Sequence, residues 1–212
     1  MVLLFDAANT IIHKPTFYIK FAKVLLDYGI DTDQENFHKI HKIISECYYF
    51  PDKTSREFYN VFNKEILFGL GIISNQKMLD NLFDACTYLP WERFDDTRYI
   101  SEIPLKKAVL SNFHGGLHEI LENIFKGEFS EITISENENL RKPDIDFFKK
   151  AIDNLRVHPS EIVYIGDSVK LDLEPALTVG MNAWLIDRNN YYPSCSRRLK
   201  SLEELNQIIK TF

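Results

Sequence analysis

Two hydrophobic periods alternate along the chain. Short apolar runs that end in small or polar residues read as buried strands. They are Val2–Phe5, Lys107–Ser111, Glu131–Ser135, Glu161–Asp167 and Ala183–Asp187. Between the first and second runs, apolar positions recur three and four apart, the spacing of one helix face. Phe17, Tyr18, Phe21 and Leu25 form the first such face, stopped at Gly29. Asp33 is placed to cap a second helix, carrying Phe37, Ile40, Ile43 and Ile44. Thr54 or Ser55 is placed to cap a third, with Phe58, Val61, Phe62, Ile66 and Leu67, and a fourth covers Gln76 to Ala85. No convincing strand pattern falls between His13 and Trp91.

From Lys106 onward, strands and short helices take turns. Helices are expected over Gly115–Ile124, from Pro143 through Ile152 and over Leu171–Val179, with a last one capped by Ser201. This alternation predicts an α/β fold, a doubly wound, Rossmann-like parallel sheet. The helical stretch is then an insertion after the first strand. The expected division is a discontinuous core of residues 1–13 and 96–212, with an all-helical domain over 14–95.

Composition narrows the partners. The 212 residues are 45% hydrophobic and 26% charged, an ordinary globular balance. The net charge of -6 argues against a nucleic-acid partner, which calls for clustered cations. A small anionic substrate stays open, because a metal or a few local donors can offset its charge. Cys47, Cys86 and Cys195 show neither metal nor redox spacing, and fit free thiols in a reducing, cytoplasmic setting. No signal-peptide pattern and no membrane span of ~18 apolar residues is expected.

Open α/β sheets bind ligands beyond the carboxyl ends of their strands. Four such ends here carry polar groups: Asp6 with Thr10, Ser111-Asn112, Lys142-Pro143 at a helix start, and Gly166-Asp167-Ser168 with Asp172. Singly, each has an ordinary explanation as a turn acid, a strand-end hydroxyl, a solvated lysine or a cap. Two histidine pairs, His38/His41 and His114/His118, have helical spacing but no third ligand, so neither is read as a metal site.

In their order along the chain these segments resemble the four motifs of the haloacid dehalogenase-like hydrolase superfamily, whose members are mostly phosphatases. The motifs are Phe5-Asp6-Ala7-Ala8-Asn9-Thr10, Val109-Leu110-Ser111-Asn112, Arg141-Lys142-Pro143-Asp144 and Ile165-Gly166-Asp167-Ser168-Val169-Lys170-Leu171-Asp172. The resemblance covers the whole chain and includes a helical cap inserted after the first motif. It implies Asp6 as nucleophile, forming an aspartyl-phosphate, with Mg²⁺ held by Asp6, the carbonyl of Ala8 and Asp167, and with Asp172 meeting the metal directly, through water or from behind its ligands. It implies Ser111 as a donor to the transferring phosphoryl group and Lys142 as the charge that offsets nucleophile and phosphate. Thr10, Asn112 and Lys14 join Ser111 and Lys142 as expected contacts to a small phosphorylated metabolite, with Lys14 and the Tyr48–Pro51 loop contributed by the cap.

One position departs from the family. Its phosphatases carry a second aspartate two residues after the nucleophile, to protonate the leaving group and activate water, and here that residue is Ala8. The 2-haloacid dehalogenases also lack it, but they need no metal and replace the Gly-Asp retained here at Gly166-Asp167. Phosphonoacetaldehyde hydrolases place alanine there too, and rely on a Schiff-base lysine in the cap, whose motif is not recognisable here. A degenerate member that binds a phosphorylated ligand or a protein without turnover is a third alternative.

Overall fold

The computed structural model describes residues 1–210, and in it the five apolar runs become strands of a six-stranded parallel sheet. In chain order the strands are β1 Val2–Phe5, β2 Ile12–His13, β3 Glu92–Arg93, β4 Lys106–Ser111, β5 Glu131–Ile134, β6 Ile162–Gly166, β7 Asn182–Ile186 and β8 Arg198–Leu199. The sheet runs β5-β4-β1-β6-β7-β8, and β2 pairs with β3 as a separate antiparallel ribbon. β1 is central: Phe5 pairs with Val109 of β4 on one side and with Ile165 of β6 on the other. Strand order changes direction beside β1, the place where open sheets of this kind receive their ligands.

Every residue of β1 and β6 is buried. Burial on both faces explains why these strands read as unbroken apolar runs rather than as alternating patterns. On one face, Val2, Leu4, Ala108, Leu110, Ile162 and Tyr164 pack with Phe147, Phe148, Ala151 and Leu155 of the helix Ile145–Leu155. Leu3, Phe5, Val109 and Ile165 alternate with these residues and are fully buried as well.

Some boundaries differ from the sequence expectation. The helix expected at Pro143 begins at Ile145, capped by Asp144, whose carboxylate accepts from the Asp146 N–H at 2.9 Å. Lys142 is tied to Asn112 through its backbone, which keeps that segment out of the helix. The helix expected from Leu171 begins instead as a π-helical turn, Val169–Leu173, and continues as Glu174–Thr178. Ser135 opens a short helix, Ser135–Glu138, rather than closing β5.

The chain divides into two compact units, Met1–His13 with the chain from Glu92 onward, and Lys14–Trp91. Re-entry falls at Glu92, ahead of the expected residue 96, because Glu92 and Arg93 pair with His13 and Ile12. The second unit consists of α1 Phe17–Asp27, α2 Gln34–Cys47, α3 Arg56–Gly69 and α4 Gln76–Cys86. Asp33, Ser55 and Asn75 cap α2, α3 and α4 by accepting from backbone N–H groups. Phe21, Leu25, Phe37, Phe62, Ile66, Leu67 and Leu82 form its core. The His38 ring stacks on Tyr18 at 3.7 Å, and the Tyr18 hydroxyl meets His41 Nδ1 at 3.0 Å. Burial pushes His41 down to about 3, so its ring is a neutral member of this aromatic core. No helix among the described residues is long and apolar enough to cross a membrane.

Phe37 is fully buried against Phe21 and Tyr18. Phe37→Ala is expected to destabilise the protein by about 3–5 kcal/mol, read as a lowered urea midpoint.

Candidate active site

Asp6 follows directly on β1, and its N–H continues the ladder to β6 by donating to the Ile165 carbonyl at 2.8 Å. The strand thus delivers the carboxylate at its carboxyl end, only 5% exposed. Lys142 Nζ lies 2.6 Å from Asp6 Oδ1 and 2.6 Å from Asp172 Oδ1. Ser111 Oγ, at the end of β4, donates to Asp6 Oδ1 at 3.3 Å, and Thr10 Oγ1 donates to Asp6 Oδ2 at 3.3 Å.

Asp172 is held as closely. Its Oδ1 also accepts from the Tyr164 hydroxyl at 2.6 Å, and its Oδ2 accepts from the Ser168 N–H at 3.0 Å. The π-helical turn, capped by Ser168 Oγ on the Leu171 N–H, carries this side chain back over the end of β6. Gly166 is required there, because a Cβ at that position would be driven into the Asp172 carboxyl group. Lys142 is placed through its backbone: its N–H donates to Asn112 Oδ1 at 2.8 Å, and its carbonyl accepts from Asn112 Nδ2 at 3.0 Å.

The electrostatics follow from this packing. Burial raises the Asp6 carboxyl to about 6; Lys142 opposes the rise, and Asp172 and Asp167 add to it. Burial alone would lower Lys142, but the Asp172 and Asp6 carboxylates outweigh it and hold the ammonium above its ordinary value. Burial and the neighbouring carboxylates push Tyr164 well up, so it stays a neutral donor. Asp6, Asp167 and Asp172 each offer a carboxylate oxygen, and these oxygens lie within 4.8 Å of one another. In the loop after Asp6, the Ala7 carbonyl accepts from Ile11 and Ile12, and those of Asn9 and Thr10 accept from Arg188. No described residue donates to the carbonyl of Ala8. Three clustered carboxylates and an open carbonyl form an all-oxygen donor set that fits a hard divalent cation such as Mg²⁺.

Residues 105–186 match the family model described as haloacid dehalogenase-like hydrolase. Over this segment the chain is similar to haloacid dehalogenase-like hydrolases. Among curated superfamily proteins it is 30% identical over 120 residues to haloacid dehalogenase-like hydrolase domain-containing protein 3 of Danio rerio, covering 54% of this chain and 50% of that one. It is 32% identical over 87 residues to the glyceraldehyde 3-phosphate phosphatase of Methanocaldococcus jannaschii, covering 39% of this chain and 38% of that one. The chain thus spans about half or less of the length of these relatives. The fold matches that of the putative HAD-hydrolase YfnB from Bacillus subtilis, solved bound to magnesium, with a TM-score of 0.70, 17% identity and coverage of 98% of this chain and 97% of that one. It also matches L-2-haloacid dehalogenase from Xanthobacter autotrophicus, with a TM-score of 0.65, 15% identity and coverage of 99% and 98%.

The structure thus brings Asp6, Thr10, Ser111, Lys142, Asp167 and Asp172 together. Thr10 and Asn112, expected at the substrate, are engaged with Asp6 and with the Lys142 backbone. Lys14 belongs to the second unit, where its amine lies 4.9 Å from the centre of the Trp91 ring and burial lowers its pKa. Tyr164 and Arg188 are additions that sequence reasoning missed. A tyrosine inside an apolar strand was the one available signal for Tyr164.

Asp6 keeps its proton to about pH 6 in the folded chain, against an ordinary value of 3.8. The folded state therefore binds more protons than the unfolded state between these values, and its stability falls as pH rises through them. With a chelator present, raising the pH from about 4 to 6 is expected to cost up to about 3 kcal/mol, measured by urea denaturation. Asp6→Asn should flatten that slope.

Proposed function

We propose that the chain is a Mg²⁺-dependent phosphatase of small phosphorylated metabolites, working through an aspartyl-phosphate on Asp6. The observation that carries this reading is the buried Asp6 carboxylate, 2.6 Å from the Lys142 ammonium and beside Asp167 and Asp172. The name of the Methanocaldococcus jannaschii relative, glyceraldehyde 3-phosphate phosphatase, supports the reaction class.

Asp6 supplies the attacking carboxylate oxygen. Its bond to phosphorus forms as the bond from phosphorus to the leaving oxygen breaks, and water then cleaves the acyl phosphate and returns the carboxylate. Asp6, the Ala8 carbonyl, Asp167 and Asp172 would hold Mg²⁺, which would supply the positive charge that lets an anionic nucleophile meet an anionic phosphate. Lys142 adds a fixed charge on the same side, already oriented by Asn112 and Asp172. Ser111 Oγ, on Asp6 Oδ1 in the resting site, is positioned to turn its hydrogen bond to a phosphoryl oxygen.

The leaving oxygen needs a proton unless it is stable as an anion. The methyl group of Ala8 cannot supply one, so aryl and acyl phosphates are better substrates than alkyl phosphates. General acid–base catalysis typically contributes about 10²–10⁴-fold, or roughly 3–5 kcal/mol of barrier.

Hydrolysis of p-nitrophenyl phosphate is expected to require Mg²⁺ and to vanish in Asp6→Asn. Ala8→Asp should raise turnover of an alkyl phosphate by at least about 10-fold while changing p-nitrophenyl phosphate turnover far less. Absence of any Mg²⁺-dependent release above the Asp6→Asn background would overturn the phosphatase reading.

A further inference from the structure

Arg188 lies just past β7, far in sequence from the loop that follows Asp6, yet it closes on that loop directly. Its Nη1 donates to the Asn9 carbonyl at 3.2 Å and its Nη2 to the Thr10 carbonyl at 2.9 Å. Nε and Nη2 also form a two-point pair with the Asp96 carboxylate, at 2.9 and 2.8 Å. Four of the five guanidinium N–H groups are thereby engaged. The plane lies 3.9 Å from the centre of the Phe94 ring, and the His13 ring stacks on Phe94 at 4.0 Å. Asp96 is fixed in turn by the Leu202 N–H at 3.1 Å.

The loop that Arg188 grips is tightly wound. Asn9 has φ 61°, the left-handed region that asparagine tolerates better than most residues. Its N–H donates to the Ile12 carbonyl at 2.7 Å, and the Ala7 carbonyl accepts from Ile11 at 2.9 Å and Ile12 at 3.0 Å. The Ala7 carbonyl is therefore committed within the loop, and those of Asn9 and Thr10 belong to Arg188.

We propose that Arg188 is the positioning residue of the nucleophile loop. By engaging the carbonyls of Asn9 and Thr10 it leaves that of Ala8 as the open acceptor, and it holds this acceptor beside Asp6 ready for a divalent cation. The proposal rests on the Mg²⁺ reading of the site and extends it to a residue outside all four sequence motifs. Lysine cannot replace this arginine, because an ammonium is a point donor without the planar fork that serves two carbonyls and a carboxylate together.

The test uses the full chain as wild type, Arg188→Ala and Arg188→Lys, titrated with Mg²⁺ alone by calorimetry. Backbone hydrogen exchange is followed over residues 7–12. A residue that orients ligands from behind typically changes metal affinity about 10–100-fold, so the Kd should rise at least about 10-fold in Arg188→Ala and stay raised in Arg188→Lys. Exchange should quicken over residues 7–12 and stay unchanged in β1 and β6. A Kd within twofold of wild type in either folded variant overturns the proposal, as does a wild type that binds no Mg²⁺. If Arg188→Ala does not fold, Arg188→Lys decides alone. A protein whose Mg²⁺ affinity depends on Arg188 but which releases no phosphate would remove the phosphatase reading and leave this one standing.

Discussion

The Lys142 ammonium, shared between the Asp6 and Asp172 carboxylates, is the contact on which the rest of the first unit depends. It joins three segments distant in sequence: the end of β1, the segment before the helix Ile145–Leu155, and the π-helical turn after β6. Taking such charges out of water is expensive, and removing one partner of a buried pair typically costs about 3–5 kcal/mol. An apolar substitute of the same volume is often no less stable. The arrangement is therefore poorly explained by stability alone and well explained by chemistry that needs fixed charge.

The sheet makes that convergence cheap to specify. Parallel strands place all their carboxyl ends on one edge, so four segments far apart in sequence need no long loops to bring their polar residues together. The backbone then does the fine placement. The Asn112 amide reads the Lys142 peptide from both sides, Gly166 clears room for Asp172, and Ser168 starts the turn that carries it.

The parallel sheet and the acids at its edge were legible because both rest on long-range regularities: unbroken apolar runs, each followed by a polar group. What was not legible has local physical causes. β2, β3 and β8 are two residues long, and two residues cannot show a period. The π-helical turn reads as ordinary helix, since its distinction lies in a backbone bond from Leu173 to the Ser168 carbonyl rather than in residue type. Tyr164 sits in a strand that is apolar on either side of it, where its ring reads as core; only the fold shows its hydroxyl reaching Asp172. Arg188 follows the last long strand in a polar stretch and looks like solvated surface, until β7 is seen to bring it beside the loop of residues 7–10.

On the proposed mechanism, Ala8 divides two tasks between the main chain and the side chain of one residue. Every amino acid has a carbonyl, so no point substitution at this position deletes that acceptor. The side chain, by contrast, changes with every substitution. In genetic terms the site is robust and reversible at once: an alanine codon ending in a pyrimidine becomes an aspartate codon by a single base change. A lineage holding such a residue can set aside proton transfer and regain it later, without rebuilding the edge of the sheet in between.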